Sequence, residues 1–151
     1  MTRIEHLNIT VQDMTTTLRF YQAAFPHWSI RQKGSNNWFG QQRNWLHFGD
    51  DYTYLTFNDG GTGRILDKNK SLDKRDSPIG IGHFAFEVTN LDNLKSKMLK
   101  AGFEPHDYGA KNPYRKNCYF IDPNGLEMEF VEYASDQPSL RNSDITESQN
   151  G

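Results

Sequence analysis

The sequence predicts an α+β fold in which one strand, helix and hairpin unit is used twice. Three observations carry this: a period-two strand at the start, a helix of three-and-four spacing after it, and the return of the pattern 77 residues later. Residues 4–11 alternate, with Leu7, Ile9 and Val11 on one face and His6, Asn8 and Thr10 on the other. Asp13 is a helix cap, Met14, Leu18, Tyr21 and Phe25 form an apolar stripe, and Pro26 ends the helix. Residues 45–48 and 52–57 read as a hairpin around Gly49-Asp50-Asp51, with Tyr52, Tyr54 and Thr56 on one face. From Asp59 to Pro78 the composition turns to Gly, Asp, Lys, Asn and Ser, a linker.

The second pass begins at Gly80. Phe84, Phe86 and Val88 face one way and His83, Ala85 and Glu87 the other. Asn90 caps a helix whose apolar side is Leu91, Leu94, Met98 and Leu99 and whose end is Gly102. Residues 118–121 and 126–131 make the last hairpin, around Asp122-Pro-Asn-Gly125. A separation of 77 carries His6 onto His83, Val11 onto Val88 and Asp13 onto Asn90, and a separation of 75 sets Tyr54 and Leu55 against Glu129 and Phe130. The expected organisation is one domain over 1–133 (module one 3–59, linker 60–78, module two 79–133), followed by a disordered polar tail over 134–151.

Composition narrows the function. The net charge is -2 with 17 Lys and Arg against 19 Asp and Glu, and no basic run tracks a phosphate backbone, which argues against a nucleic-acid partner. No apolar stretch reaches the roughly 18 residues of a membrane span, and no basic and apolar leader opens the chain, so a cytoplasmic protein is expected. One cysteine, Cys118, allows no internal disulfide and no cysteine-based zinc site; a metal would need His, Asp or Glu. Trp38, Trp45 and Tyr114 are candidates for an aromatic substrate wall, Arg115 for an anion clamp, and Asn8 and Thr10 for polar contacts beside His6. His27, His47 and His106 have no counterpart in the repeat and are assigned to the surface or rim.

The segments His6-Leu-Asn-Ile-Thr-Val-Gln-Asp-Met with Arg19-Phe-Tyr21, Gly82-His-Phe-Ala-Phe-Glu-Val88, and Tyr119-Phe-Ile-Asp-Pro-Asn-Gly-Leu-Glu-Met-Glu129-Phe together resemble the vicinal oxygen chelate superfamily. That family includes glyoxalase I, fosfomycin-resistance transferases, extradiol dioxygenases and bleomycin-resistance binding proteins. The resemblance implies tandem βαβββ modules forming a curved mixed sheet around a cleft, with helices outside. It implies His6, His83 and Glu129 as ligands of one divalent metal ion (Fe, Mn, Zn or Ni), with positions left for water or a bidentate oxygen substrate. Glu127 shares the face of Glu129 and ranks below it. Where glyoxalase I has a further glutamate, this sequence has Tyr54, a phenol that could donate to a bound oxyanion; lactoylglutathione lyase activity is thereby put in doubt. The reading is a metal-dependent enzyme on a small oxygen-rich substrate, of lyase, thiol-transferase or ring-cleaving type, and a homodimer. The alternatives are a non-catalytic drug- or metabolite-binding protein and a dimeric ligand sensor.

Overall fold

The structure is a computed structural model that describes residues 4–38, 41–59, 81–109 and 111–143. Its elements are β1 (His6–Thr10), α1 (Met14–Ala24), β2 (Ser29–Trp38), β3 (Gln41–Gly49), β4 (Tyr54–Asn58), β5 (His83–Glu87), α2 (Leu91–Lys100), β6 (Asp107–Tyr108), β7 (Arg115–Ile121), β8 (Glu127–Tyr133) and α3 (Pro138–Arg141). They fall into two units, each with one four-stranded mixed sheet, ordered β1-β4-β3-β2 and β5-β8-β7-β6. In both, the opening strand runs parallel to the last and the other pairings are antiparallel, so the βαβββ expectation holds twice. The turn Pro123–Gly125 belongs with the first unit. The expected linker 60–78 lies outside the described residues.

Each sheet has an apolar face and a polar face. In the first unit Ile9, Leu46, Phe48, Leu55 and Phe57 are buried together with Phe20, Tyr21 and Ala24 of α1. The Tyr21 and Phe57 rings meet at 5.2 Å. In the second, Phe120, Met128 and Phe130 are buried, as are Leu91, Leu94 and Met98 of α2, which packs on β8. Each such side chain removed from water is worth roughly 1.5–3 kcal/mol, so each apolar face holds its own sheet and helix together.

The caps sit where the repeat sets them. Asp13 accepts from the Thr16 amide at 2.6 Å and Asn90 from the Asn93 amide at 2.9 Å, each satisfying an orphan donor of its helix. Gly102, at φ +86°, ends the turn after α2 as expected. Asp122 closes the last hairpin by accepting from the Leu126 amide at 2.9 Å, with Gly125 at φ +83°.

Several expectations need correction. The buried stripe of α1 is Thr17, Phe20, Tyr21 and Ala24; Met14 and Leu18 lie only at its margin, because Thr17 is drawn inward, bonding to the Asp13 carbonyl at 2.8 Å and receiving Asn124 Nδ2 at 3.0 Å. Leu99 is exposed on α2. Tyr52 is not part of β4: Asp50 accepts from the amides of Tyr52 and Thr53, both at 2.8 Å, and this tight turn leaves Tyr52 exposed. β2 and β6, the strands that a βαβββ module requires after each helix, carry no local period-two signal in the sequence. The polar tail is ordered over 134–143: Arg141 forks onto Glu87 at 2.9 and 2.5 Å and lies 3.8 Å over the Tyr133 ring, and Asn112 reaches the Ser143 carbonyl at 3.3 Å. Residues 144–151 lie outside the described residues.

The pairing register also revises the internal match. His6 pairs with Tyr54 and His83 with Glu127, while Asn8 pairs with Thr56 and Ala85 with Glu129. The counterpart of Glu129 is therefore Thr56, and that of Glu127 is Tyr54. The last strands are related by 73 residues, not 75.

Candidate functional site

The polar face of the second unit gathers His83, Glu127, Glu129, Tyr119 and Asn117. Parity aims these side chains away from α2: on β8 the residues 128, 130 and 132 turn to the helix side, and Glu132 there accepts from the Leu91 amide at 2.6 Å. His83 Nε2 lies 3.1 Å from Glu129 Oε2, and its other ring nitrogen lies 3.8 Å from Glu127 Oε1. Both carboxylates are largely shielded, with side chains 14% and 18% exposed, while His83 keeps 42%. Asn117 Nδ2 donates to the other Glu129 oxygen at 2.6 Å and to the Tyr119 hydroxyl at 3.2 Å. Tyr119 meets the edge of His83 at 5.6 Å. Burial, with the Glu129 charge and hydrogen bond behind it, pushes the Tyr119 phenol up to about 12, so it stays protonated at neutral pH.

The chemistry of this set suits a divalent ion. An imidazole nitrogen and a carboxylate oxygen face each other from neighbouring strands, and the carboxylate is oriented by an amide behind it. Among the described residues no three His, Cys, Asp or Glu side chains are gathered closely enough to hold a metal by themselves.

The polar face of the first unit is built otherwise. His6 stacks on Tyr54 at 4.9 Å and 14°, His47 tilts against Tyr54 at 4.7 Å, and Trp45 against His47 at 4.9 Å. Glu5 pairs with His6 Nδ1, and Tyr54 bonds to the same carboxylate. Burial and then that hydrogen bond raise the Tyr54 phenol above its ordinary value. His47 is shifted down, first by burial and then by the charges of Arg31 and His6. Arg31 lies 4.5 Å over the Tyr54 ring. Asn8 is tied to the buried Asn58, whose amide donates to it at 2.6 Å, and Thr10 stands exposed on the same face.

The expected residues thus divide between the units: His6, Asn8, Thr10, Tyr54 and Trp45 in the first, His83, Glu129, Tyr114 and Arg115 in the second. Trp38 ends β2, and its side chain lies outside the described residues. Arg115 donates to the Arg141 carbonyl at 3.3 Å, and Tyr114 accepts the Ala134 amide on its carbonyl at 2.9 Å, so both help seat the segment after β8. Sequence reasoning missed Asn117, Tyr119 and Arg31, and assigned His47 to the rim although it sits inside the aromatic stack. Tyr119 and Asn117 share the parity of the predicted strand 118–121 and its extension; nothing local marks Arg31.

Two glycines make room for these side chains. A Cβ on Gly34 would stand 2.7 Å from the Trp45 ring, and one on Gly109 would stand 1.9 Å from Asn117 Oδ1. Gly34 pairs directly with Trp45, and Gly109 follows the Tyr108–Cys118 pair of β6 and β7. The same device appears in both units.

Known proteins share this fold. The chain matches solved structures of a glyoxalase family protein from Enterococcus faecalis (18% identity, TM-score 0.65, covering 86% of this chain and 97% of that one). It also matches a glyoxylase/bleomycin resistance protein/dioxygenase domain from Frankia (19%, 0.66, 95% and 99%). A third match is a mutant of the fosfomycin resistance protein FosX from Listeria monocytogenes, complexed with Mn(II) and a dihydroxypropylphosphonic acid (16%, 0.66, 95% and 99%). No curated protein sequence matches. Among the described residues no helix is long and apolar enough to cross a membrane. A family model matches residues 3–130, nearly all of both sheets, and the chain belongs to the Glyoxalase/Bleomycin resistance protein/Dioxygenase superfamily.

Proposed function

We propose that the protein is a metal-dependent enzyme of this superfamily that acts on a small oxygen-rich molecule, with His83, Glu129 and His6 holding one divalent ion. The observation that carries the proposal is the His83–Glu129 pair at 3.1 Å, backed by Asn117 at 2.6 Å on the other carboxylate oxygen. His6 enters as the counterpart of His83 in the first unit, paired in the same register to the last strand. Mn(II) in the related Listeria protein supports a divalent ion here, with Fe, Zn and Ni as the other candidates.

When bound, the ion supplies Lewis-acid polarisation of a substrate oxygen. The remaining work falls to the chain. Asn117 fixes the Glu129 carboxylate, and Tyr119, kept protonated, offers a hydroxyl hydrogen to a developing negative charge. Tyr54 is the catalytic candidate of the first unit; it is kept protonated and would have to release the Glu5 carboxylate to donate to a substrate oxygen. Asn8, Thr10 and Trp45 present polar and aromatic contacts on its face.

The test is elemental analysis of full-length protein purified without chelator or affinity-tag metal, beside His83→Ala, Glu129→Gln and Thr56→Val. About one ion per chain is expected in the wild type and in Thr56→Val, with loss in the other two variants. Iron would select ring cleavage by dioxygen; manganese, zinc or nickel would select lyase or transferase chemistry. No ion, and no uptake of any of the four, would overturn the enzyme and favour a non-catalytic binding protein of the bleomycin-resistance type. We further propose a cytoplasmic homodimer, for which sedimentation at twice the chain mass is expected; a monomer would refute it.

A further inference from the structure

Arg31 is the residue that an uninterrupted β2–β3 pairing would not deliver in this way. Ile30 pairs with Phe48 and Gln32 with His47, so Arg31 is the extra residue of a β-bulge, two residues opposing one. Arg31 and Gln32 therefore both serve the side of β3 that carries His47. The guanidinium then crosses β3 to lie 4.5 Å over Tyr54 on β4. It can do so because the β3 residue beside Tyr54 is Gly49, where a Cβ would stand 2.4 Å from Tyr54 Cβ.

A guanidinium whose Cζ sits over a ring centroid is held there by cation–π attraction, which uses none of its five N–H donors. Among the described residues Arg31 has no ion pair within 4.0 Å. The two acids that feel its charge are engaged elsewhere: Glu5 with His6 and Tyr54, and Asp50 with the amides of Tyr52 and Thr53. The same molecule contains the filled form of this arrangement. Arg141 lies 3.8 Å over Tyr133, and its in-plane edge forks onto Glu87 at 2.9 and 2.5 Å. Arg31 on Tyr54 is that stack without the carboxylate.

We propose that Arg31 is a specificity-determining residue that docks an oxyanion group of the ligand, a carboxylate or a phosphonate, beside the Trp45–His47–Tyr54 aromatic row. This deepens the enzyme reading by naming the substrate as anionic, and it rests on that reading only for the word substrate; the anion contact needs no metal. A fork of N–H groups on a rigid stack matches two oxygens of such a group, which a lysine at the same position could not do.

The test uses full-length, metal-free protein titrated with benzoate, phenylphosphonate and neutral benzamide. The NMR signals of the Trp45 indole and the His47 ring are followed. The anions are expected to bind at least about fivefold tighter than benzamide. Arg31→Gln should erase that preference and Arg31→Lys should keep only part of it, with unchanged amide spectra elsewhere. The tighter of the two anions identifies the oxyanion. Equal binding of benzamide and the anions, anion binding unchanged in Arg31→Gln, or no response of Trp45 and His47 to any probe would overturn the proposal. Because no metal is present, anion preference surviving alongside failed metal uptake would retain the anion site in a binding protein, so the two readings fail separately.

Discussion

The two units share a topology, a capped helix and a glycine under a key side chain, yet their polar faces differ in kind. On the second, the positions facing His83 and its neighbour are Glu127 and Glu129; on the first, the matching positions are Tyr54 and Thr56. Tyr119 of the second unit is matched by His47 of the first, and Asn117 by Trp45. One face is a carboxylate nest with one imidazole, the other an aromatic and imidazole stack under an arginine. The buried faces explain how both are tolerated. Leu55 and Phe57 do in the first sheet what Met128 and Phe130 do in the second; the residue between them is a buried threonine, Thr56, in the first and the half-buried Glu129 in the second. The apolar face is kept in both units, while the polar face differs between them.

The sharpest way to break this comparison is through the two glycines. Gly109→Ala would set a methyl 1.9 Å from Asn117 Oδ1, and Asn117 cannot swing aside without releasing Glu129. On the metal reading, Gly109→Ala and Asn117→Ala should each weaken Mn(II) binding on the order of 10-fold or more, the usual loss when an outer partner of a ligand is removed. Gly34→Ala, which moves Trp45 in the other unit, should leave Mn(II) affinity near wild type while shifting the indole signal. Titration of all three by electron paramagnetic resonance decides it: equal losses in Gly34→Ala and Gly109→Ala would mean that the faces are not specialised.

Much of the fold could be read directly because the buried faces carry period two and the helices carry caps. β1, β5, Asp13 and Asn90 all follow from local pattern. β2 could not be read, since Ser-Ile-Arg-Gln-Lys-Gly-Ser-Asn-Asn is mostly exposed and its strand character comes from backbone pairing to β3. The order of 134–143 was invisible for a related reason: its anchors are Arg141 to Glu87 and Tyr133, a polar docking without hydrophobic rhythm. The match of Tyr54 to Glu129 erred by two residues, and a two-residue slip preserves parity, so only the cross-strand register could expose it. The place of His83 on the polar face was legible from parity plus the repeat, and Glu129 entered through the family resemblance with parity in its favour. Arg31 was not, because a bulge breaks the alternation on which such reading depends.

A smaller asymmetry lies at the helix starts. Asp92, in the first turn of α2, is bound by Lys95 at 2.7 Å and Lys116 at 3.0 Å, whereas its counterpart 77 residues earlier is the uncharged Thr15. The hydrogen bonds from Lys95 and then Lys116 hold the Asp92 carboxyl at about 2, below its ordinary 3.8. A carboxylate depressed in the folded state stabilises fully above its unfolded value and loses that contribution as the pH falls through the folded one. The contribution is therefore complete above about pH 5 and is lost progressively as the pH falls through 2. The carboxylate is exposed, so water and salt screen it and the effect is small. Melting temperatures of wild type and Asp92→Asn are expected to differ at pH 5, with the variant lower, and to converge as the pH approaches 2. Raising the salt concentration at pH 5 should narrow the same gap. A gap that stays constant from pH 5 to pH 2 would assign the Asp92 effect to packing at the start of α2 instead of to its charge.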